Sequence, residues 1–274
     1  MRILVIGAGA LGGYFGACLV RAGRDVTFMV RPGRAAQLAR TGLQVTSPHG
    51  DFTVPAKTIS PEAVRDSFDL ILLGVKSYSL DEAMDQFAPA VGPATAILPV
   101  LNGLGHIDRL SAKFGAKHVL GGMANISAGL DPEGRVTHFH PIHDLVFGDV
   151  AGDSTERIRA IEAAIGVAGI DARVSDAVMH DMWEKFVQLG LGAGITCLMR
   201  ASIGDILAAP GGREAMFALF DEVLHRRRCR RLSAAARFHR VRPQTDHDGR
   251  LADQMVDAAR YRTRVDHGRR AHPG

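Results

Sequence analysis

The apolar run Ile3-Leu4-Val5-Ile6 leads straight into Gly7-Ala8-Gly9-Ala10-Leu11-Gly12, and Gly13 to Arg21 continues in a helical pattern. This order of residues constrains the fold more than any other stretch of the chain. A strand that turns at once into a helix needs a glycine for the tight turn, here Gly7. Gly9 lets the backbone come close to a ligand, and Gly12 lets the helix lie against its strand. The start of such a helix presents unpaired N–H groups and a partial positive charge, which suits a phosphate. The segment Gly7, Ala8, Gly9, Ala10, Leu11 and Gly12 therefore reads as the cradle of a dinucleotide's pyrophosphate. A glycine turn in some other α/β protein is the alternative.

The end of the second strand distinguishes between dinucleotides. Val26-Thr27-Phe28-Met29-Val30 is apolar and ends in Arg31-Pro32-Gly33-Arg34. An NAD site usually carries Asp or Glu at this point, to accept from the ribose 2′-hydroxyl. Here Arg31 takes that place, with Arg34 close behind, and Asp25 stands at the wrong end of the strand. A guanidinium fork matches a 2′-phosphate through charge-assisted bonds. The pattern favours NADP(H) as cofactor, against the alternative of two solvated arginines.

Strands and helices alternate through the first half. Phe68 to Val75 is nearly continuous in apolar residues, as in a central parallel strand covered on both faces. Ala96 to Val100 repeats that pattern, Ser79 to Phe87 and Thr155 to Ala168 are helical, and Leu43 to Thr46 with Phe52 to Val54 reads as a small hairpin. Between Val119 and Phe147, turn signals at Asp131-Pro132-Glu133-Gly134 and at Pro141 predict short strands added antiparallel to the same sheet. Ala172-Arg173-Val174 supplies a last strand. No strand pattern returns after Asp176, and Val178 to Met199 predicts one long helix, apolar on most sides and so buried. The expected fold class is α/β: a Rossmann-like dinucleotide-binding domain over residues 1–175, then an all-helical domain over 176–274. With 274 residues, 46% of them hydrophobic, both can form a core.

The net charge of +4 conceals an asymmetry. Residues 225–274 hold fourteen of the 33 basic residues, all Arg, and five of the 29 acidic ones, all Asp. That segment is therefore at +9 and the first 224 residues at −5. An arginine-rich arm suggests nucleic acid, but Phe238 and Tyr261 are its only aromatics, too few for base stacking. No nucleic-acid partner is expected. No apolar run is long enough for a membrane span, and no secretory leader precedes the first strand. Cys18, Cys197 and Cys229 fit neither a disulfide framework nor a metal site. A cytoplasmic protein without membrane partners is the expectation.

Chemistry concentrates at strand ends and in the long helix. Lys76 follows Ile71-Leu72-Leu73-Gly74-Val75, and Asn102 follows the next strand in Pro99-Val100-Leu101-Asn102-Gly103-Leu104-Gly105. Ligands bind at the carboxyl ends of strands in open α/β sheets. The alternative for Lys76 is an idle surface lysine. Lys185, in Met182-Trp183-Glu184-Lys185-Phe186, either snorkels to the surface or faces a polar cleft. In a cleft its ammonium could stabilise a developing alkoxide and supply a proton. His138, His140 and His143 are expected to be surface or sheet-edge histidines, because Pro141 interrupts their strand and no cysteine completes a metal site. No metal is expected.

Taken in order, these segments resemble the ketopantoate reductase family (2-dehydropantoate 2-reductases) over roughly residues 1–224. The resemblance rests on Gly7 to Gly12, Arg31, Gly74-Val75-Lys76, Leu101-Asn102-Gly103-Leu104-Gly105 and Trp183-Glu184-Lys185. It implies NADPH-dependent reduction of a 2-oxo acid carbonyl between the two domains, in pantothenate biosynthesis or on a related acid. Arg31 would hold the 2′-phosphate, Lys76 and Asn102 would line the nicotinamide side, and Ala128 would offer a backbone contact. Asn102 and Lys185 would bind substrate, with Lys185 as proton donor. Family members usually carry asparagines four and eight residues after that lysine; here Leu189 and Ala193 stand there, which favours a more apolar 2-oxo acid. The family's last substrate-binding pattern is unrecognisable after Leu224. The Arg/Ala/Asp/His tail has the composition of a GC-rich gene read out of frame, an origin that resequencing would refute by finding an intact frame. Residues 225–274 are thus an atypical part of the helical substrate and dimerisation domain, with disorder and a homodimer as open alternatives. Two other functions stay open: a different NADP-linked hydroxy acid dehydrogenase, and a non-catalytic NADPH-binding protein.

Overall fold

A computed structural model describes residues 1–150 and 156–234, with side chains as far as residue 225. The chain divides into two compact units, Met1–Met182 and Trp183–Gly274. The first begins with β1 (Arg2–Ile6), α1 (Ala10–Arg21), β2 (Asp25–Met29), α2 (Pro32–Thr41), β3 (Leu43–Thr46), β4 (Phe52–Val54) and β5 (Thr58–Ile59). It continues with β6 (Phe68–Leu73), α3 (Leu80–Phe87), β7 (Val91–Pro99), α4 (Gly105–Phe114), β8 (Leu120–Leu130), β9 (Val136–Asp149), α5 (Glu156–Gly166) and β10 (Asp171–Val174).

Five parallel strands form the first sheet in the order β5-β2-β1-β6-β7. The centre belongs to β1, whose Ile3, Leu4 and Val5 are fully buried, as a strand covered on both faces requires. The chain leaves β1 on one side for β2 and later returns on the other for β6. The carboxyl ends of β1 and β6 therefore flank the point where the strand order reverses, which is where open α/β sheets bind ligands.

The strands after Val119 do not extend this sheet, contrary to the pattern-based expectation. They build a second sheet around β9, with β8 antiparallel along one edge. The other edge is shared by β3 at its start and β10 towards its end, both parallel to it. Nor does Pro141 end the strand. Between the pairs Ile126↔His143 and Ala128↔His138, β8 advances two residues and β9 five. Proline cannot donate to a ladder, so the surplus residues around Pro141 leave the pairing as a bulge and it resumes beyond them.

Helix α1 is covered by both sheets. Every residue from Gly12 to Leu19 is buried, where a helix covered on one side would expose every third or fourth position. Small residues make the fit: a Cβ on Gly13 would lie 2.9 Å from Val136 of β9, and one on Gly16 would lie 2.4 Å from Phe28 of β2.

The long helix predicted over Val178 to Met199 forms as α6 (Val178–Met199), followed by α7 (Ile203–Ala208) and α8 (Gly212–Ala234). The first turns of α6 belong to the first unit, because a Cβ on Gly121 of β8 would lie 2.6 Å from Val178 and 3.3 Å from Met182. In the second unit Val187, Leu191 and Ile195 of α6 share a core with Ile206, Met216, Phe220 and Leu224. The contributions of α6 and α8 each repeat every four residues, the ridges that interlock in common helix pairs. Gly190 and Gly194 leave room for Val223 and Leu219 at van der Waals distance. This helix is not buried all round: Leu189, Leu198 and Met199 are exposed. The arginine run at 226–231 continues α8 rather than ending it; residues 235–274, the rest of the atypical tail, lie outside the described residues.

Candidate functional site

The glycine turn works as its spacing implies, with the three glycines doing different things. Gly7 has φ +86°, the left-handed region that favours glycine, and its N–H donates to the Met29 carbonyl across 3.0 Å. Gly12 is required by packing: a Cβ there would lie 2.2 Å from the Gly7 carbonyl oxygen. Gly74, after β6, meets the same spot, its Cβ position 3.0 Å from the Gly12 nitrogen. Gly9 differs. Its φ of −84° suits any residue and a Cβ on it would meet nothing within 4 Å, so the fold itself does not demand glycine there. The open space over Gly9 is what close approach of a pyrophosphate needs. The first turn of α1 carries no acid and no side-chain cap, which leaves its amide groups for an anion. These residues fit a dinucleotide.

Around the cradle, the carboxyl ends of β2, β6 and β7 bring Arg31, Lys76 and Asn102 to one edge of the sheet. The Val100 N–H donates to the Leu73 carbonyl across 3.0 Å and keeps the ends of β6 and β7 level. Lys76 and Asn102 are both exposed. Arg31, exposed at the N-terminus of α2, pairs with Glu82 of α3 at 3.1 Å. Arg34 does something the sequence does not announce. Its Nε donates to the Ala8 carbonyl at 3.1 Å, and its Nη1 to the Gly134 carbonyl and to Gln37 Oε1, both at 2.7 Å. Burial pulls its pKa down, with Asp131 opposing. Arg34 thus ties the glycine turn to α2 and to the turn between β8 and β9. Ala128 lies in the second sheet, on β8 opposite His138, next to the bulged Ser127.

The histidines are not surface residues. His138 and His143 are buried, and only His140 of the three is exposed. The odd number of surplus residues in the β9 bulge resets the alternation of side chains and brings both to one face. There His138 Nδ1 is 3.0 Å from Ser47 Oγ, its Nε2 donates to the Ile142 carbonyl, and His143 Nδ1 is 2.8 Å from the Tyr14 hydroxyl. His49, between β3 and β4, stacks on His143 with centroids 4.2 Å apart. The ring nitrogens are spent on protein partners, and no group of His, Cys, Asp or Glu among the described residues could hold a metal.

Lys185 belongs to the second unit. It is half-buried on α6 between Trp183 and Phe186, whose rings meet edge-on at 5.5 Å. Burial lowers its pKa to about 8. Leu189 and Ala193, one and two turns on, continue the same helix row and are exposed. On the first unit, His106 of α4 is buried with Nε2 unpartnered among the described residues, and burial lowers its pKa to about 4. That imidazole is neutral at physiological pH, and nothing in the spacing signals it.

No helix among the described residues is long and apolar enough to cross a membrane. The chain is 38% identical over 223 residues to an uncharacterised oxidoreductase, YkpB, of Bacillus subtilis, covering 81% of this chain and 73% of that protein. It is 26% identical over 234 residues to a 2-dehydropantoate 2-reductase of Mesorhizobium japonicum, covering 78% and 72%. The crystal structure of a 2-dehydropantoate 2-reductase from Geobacter metallireducens superposes with a TM-score of 0.79 at 31% identity, over 93% of this chain and 82% of that one. The family model for ketopantoate reductase PanE/ApbA matches residues 3–152, and its C-terminal companion matches 177–264. The second match continues well past Leu224, where the motifs stop. With both parts matched in order, and a dinucleotide cradle at the head of the first, the chain belongs to the ketopantoate reductase PanE/ApbA family of NAD(P)H-binding oxidoreductases.

Proposed function

We propose that this chain reduces the carbonyl of a 2-oxo acid with NADPH, as a cytoplasmic enzyme. The observation that carries the reading is Lys185, a half-buried lysine whose ammonium pKa burial brings to about 8. A group in that range is still protonated at neutral pH yet gives up its proton readily, which suits a general acid. Bound NADPH would supply the hydride. Lys185 would hold the carbonyl oxygen, neutralise the charge that develops on it and deliver the proton that completes the alcohol. Gly7 to Gly12 would bind the pyrophosphate and Arg31 the 2′-phosphate. Lys76, Asn102 and a backbone group of Ala128 are assigned to the nicotinamide side, with Asn102 also contacting substrate.

The substrate favoured is a 2-oxo acid with an apolar side chain. Leu189 and Ala193 offer no amide on the Lys185 row, and each amide hydrogen bond forgone is worth about 1 kcal/mol. Ketopantoate itself is the alternative within the same reaction. Three large apolar side chains of α6 stand exposed, Leu189, Leu198 and Met199, which supports the view that the atypical tail leaves the helical unit under-covered and turnover weak. A homodimer would be one way to cover that surface. Loss of NADPH absorbance across a panel of 2-oxo acids tests the reading. Oxidation of NADPH dependent on one of them is expected, at a rate below that of the Mesorhizobium relative. No consumption with any member of the panel, despite NADPH binding, would leave a binding protein in its place.

A further inference from the structure

The acids of α3 are sorted into two rows. Asp81 and Asp85, four residues apart, pair with Arg109 and Lys113, also four apart, on α4. Glu82 faces elsewhere. One of its carboxylate oxygens accepts from Arg31 Nη2 at 3.1 Å, and the other accepts from Gln86 Nε2 at 3.0 Å, one turn further along α3. The carboxylate is thus tethered by its own helix and presented to the one arginine at the end of β2 that remains available. Arg34 does not share that task, because its Nε and Nη1 are committed to Ala8, Gln37 and Gly134.

We infer that Glu82 is a specificity-determining residue for the coenzyme, competing with the 2′-phosphate for Arg31. The inference rests on the assignment of Arg31 to that phosphate. An anion one hydrogen-bond length from the guanidinium occupies the place that a phosphate oxygen must take. NADPH binding therefore requires the Glu82 carboxylate to leave Arg31 and then to stand near a group of charge close to −2, which repels it. A ribose 2′-hydroxyl makes no such demand. It can donate to Glu82 while Arg31 stays paired, the arrangement by which an acid at this strand end selects NAD. Arg31 and Glu82 pull the preference in opposite directions, and the pair holds it nearer to balance than an unopposed arginine would. The strand end that carries arginine in the sequence thus regains its acid from a helix fifty residues away.

Calorimetric titration of the intact chain, Glu82→Gln, Gln86→Leu and Arg31→Leu with NADPH and with NADH tests this. Glu82→Gln keeps the size of the side chain and removes its charge at an exposed position. It is expected to tighten NADPH by about three- to fivefold at low salt, the range of an exposed ion pair, with the gain shrinking as salt is added. NADH affinity is expected to stay level or fall, so the NADH-to-NADPH ratio of Kd values rises. Gln86→Leu leaves the charge but removes its tether, and moves the ratio the same way by less. An unchanged or lower ratio in Glu82→Gln overturns the inference, provided that Arg31→Leu lowers the ratio. If Arg31→Leu leaves the ratio alone, or the parent chain binds neither nucleotide, the assignment of Arg31 fails first and takes the inference with it.

Discussion

The glycine cradle of the first unit and the lysine helix of the second carry function in different ways. At the cradle the working parts are backbone amides, and the residue types matter by what they leave out: a Cβ at Gly12 would strike the Gly7 carbonyl, and one at Gly9 would fill open space. On α6 the working part is a side chain, and its surroundings tune it, since burial brings the Lys185 ammonium down to about 8. Backbone sites are written in spacing and tolerate little. Side-chain sites are written in environment and can be retuned.

The largest effect should come from deleting the side chain. Lys185→Ala is expected to lower kcat for 2-oxo acid reduction by about 10²–10⁴-fold, the range of a lost general acid, with the Kd for NADPH nearly unchanged. A variant that keeps a tenth of the parent's kcat would remove Lys185 from the chemistry. The same group sets a pH dependence. Reduction needs the protonated amine, so kcat/KM should be level below about pH 8 and fall tenfold per unit above it. A profile flat to pH 10 would assign the proton elsewhere.

The cradle breaks differently. Gly12→Ala must push its Cβ into a backbone oxygen, so roughly 1–3 kcal/mol of stability should be lost, visible as a lower denaturant midpoint. Gly9→Ala has the space and the φ for a side chain, so the midpoint should not move. Its cost should appear only in NADPH affinity, about tenfold if the methyl crowds the pyrophosphate by a comparable energy. Equal loss of stability in both variants would erase the distinction between packing and binding glycines.

That distinction explains which features pattern reading reaches. The glycine turn, the parallel strands and the α6 helix follow from local spacing, and so does the placement of Arg31, Lys76 and Asn102 at strand ends. The second sheet does not. Its strands pair with segments from residues 43 to 174, and alternation within a strand says nothing of its partner. Pro141 misleads because a bulge absorbs it. Arg34 and Glu82 are missed for a related reason: their partners stand 26 to 100 residues away, and exposed charge in a sequence does not name its counterion.

A smaller effect tests the row beyond Lys185. Leu189→Asn restores one amide at the position where the family usually has one, on an exposed site where a polar group costs little to hold. If ketopantoate is a substrate, its kcat/KM should rise about fivefold, the worth of one hydrogen bond of about 1 kcal/mol, while an apolar 2-oxo acid should lose a similar factor. Parallel changes for both acids would show that Leu189 does not face the substrate.

The smallest effect is expected from the stacked histidines, which serve the cradle by fastening α1 to the second sheet. Burial depresses the pKa of His138, with His49 and His140 adding repulsion while the Ile142 carbonyl opposes. It likewise depresses that of His143, against which His49 and His138 push and Asp171 and Asp144 pull. Tyr14, raised to about 12 by burial, and Cys18, raised to about 11, face them as neutral groups from α1. A histidine whose folded pKa lies below its unfolded value binds fewer protons when folded. Its contribution to stability is therefore complete above about pH 6.5 and is lost as pH falls through the depressed value. Tm should accordingly drop between pH 7 and pH 5. His49→Gln removes one ring of the closest stacked pair from an exposed position. It should leave Tm at pH 7.5 unchanged and make the acid loss shallower, by no more than about 2–4 °C. Identical acid slopes in parent and variant would mean that the stacked rings do not repel, and that acid weakens this unit through its carboxylates instead.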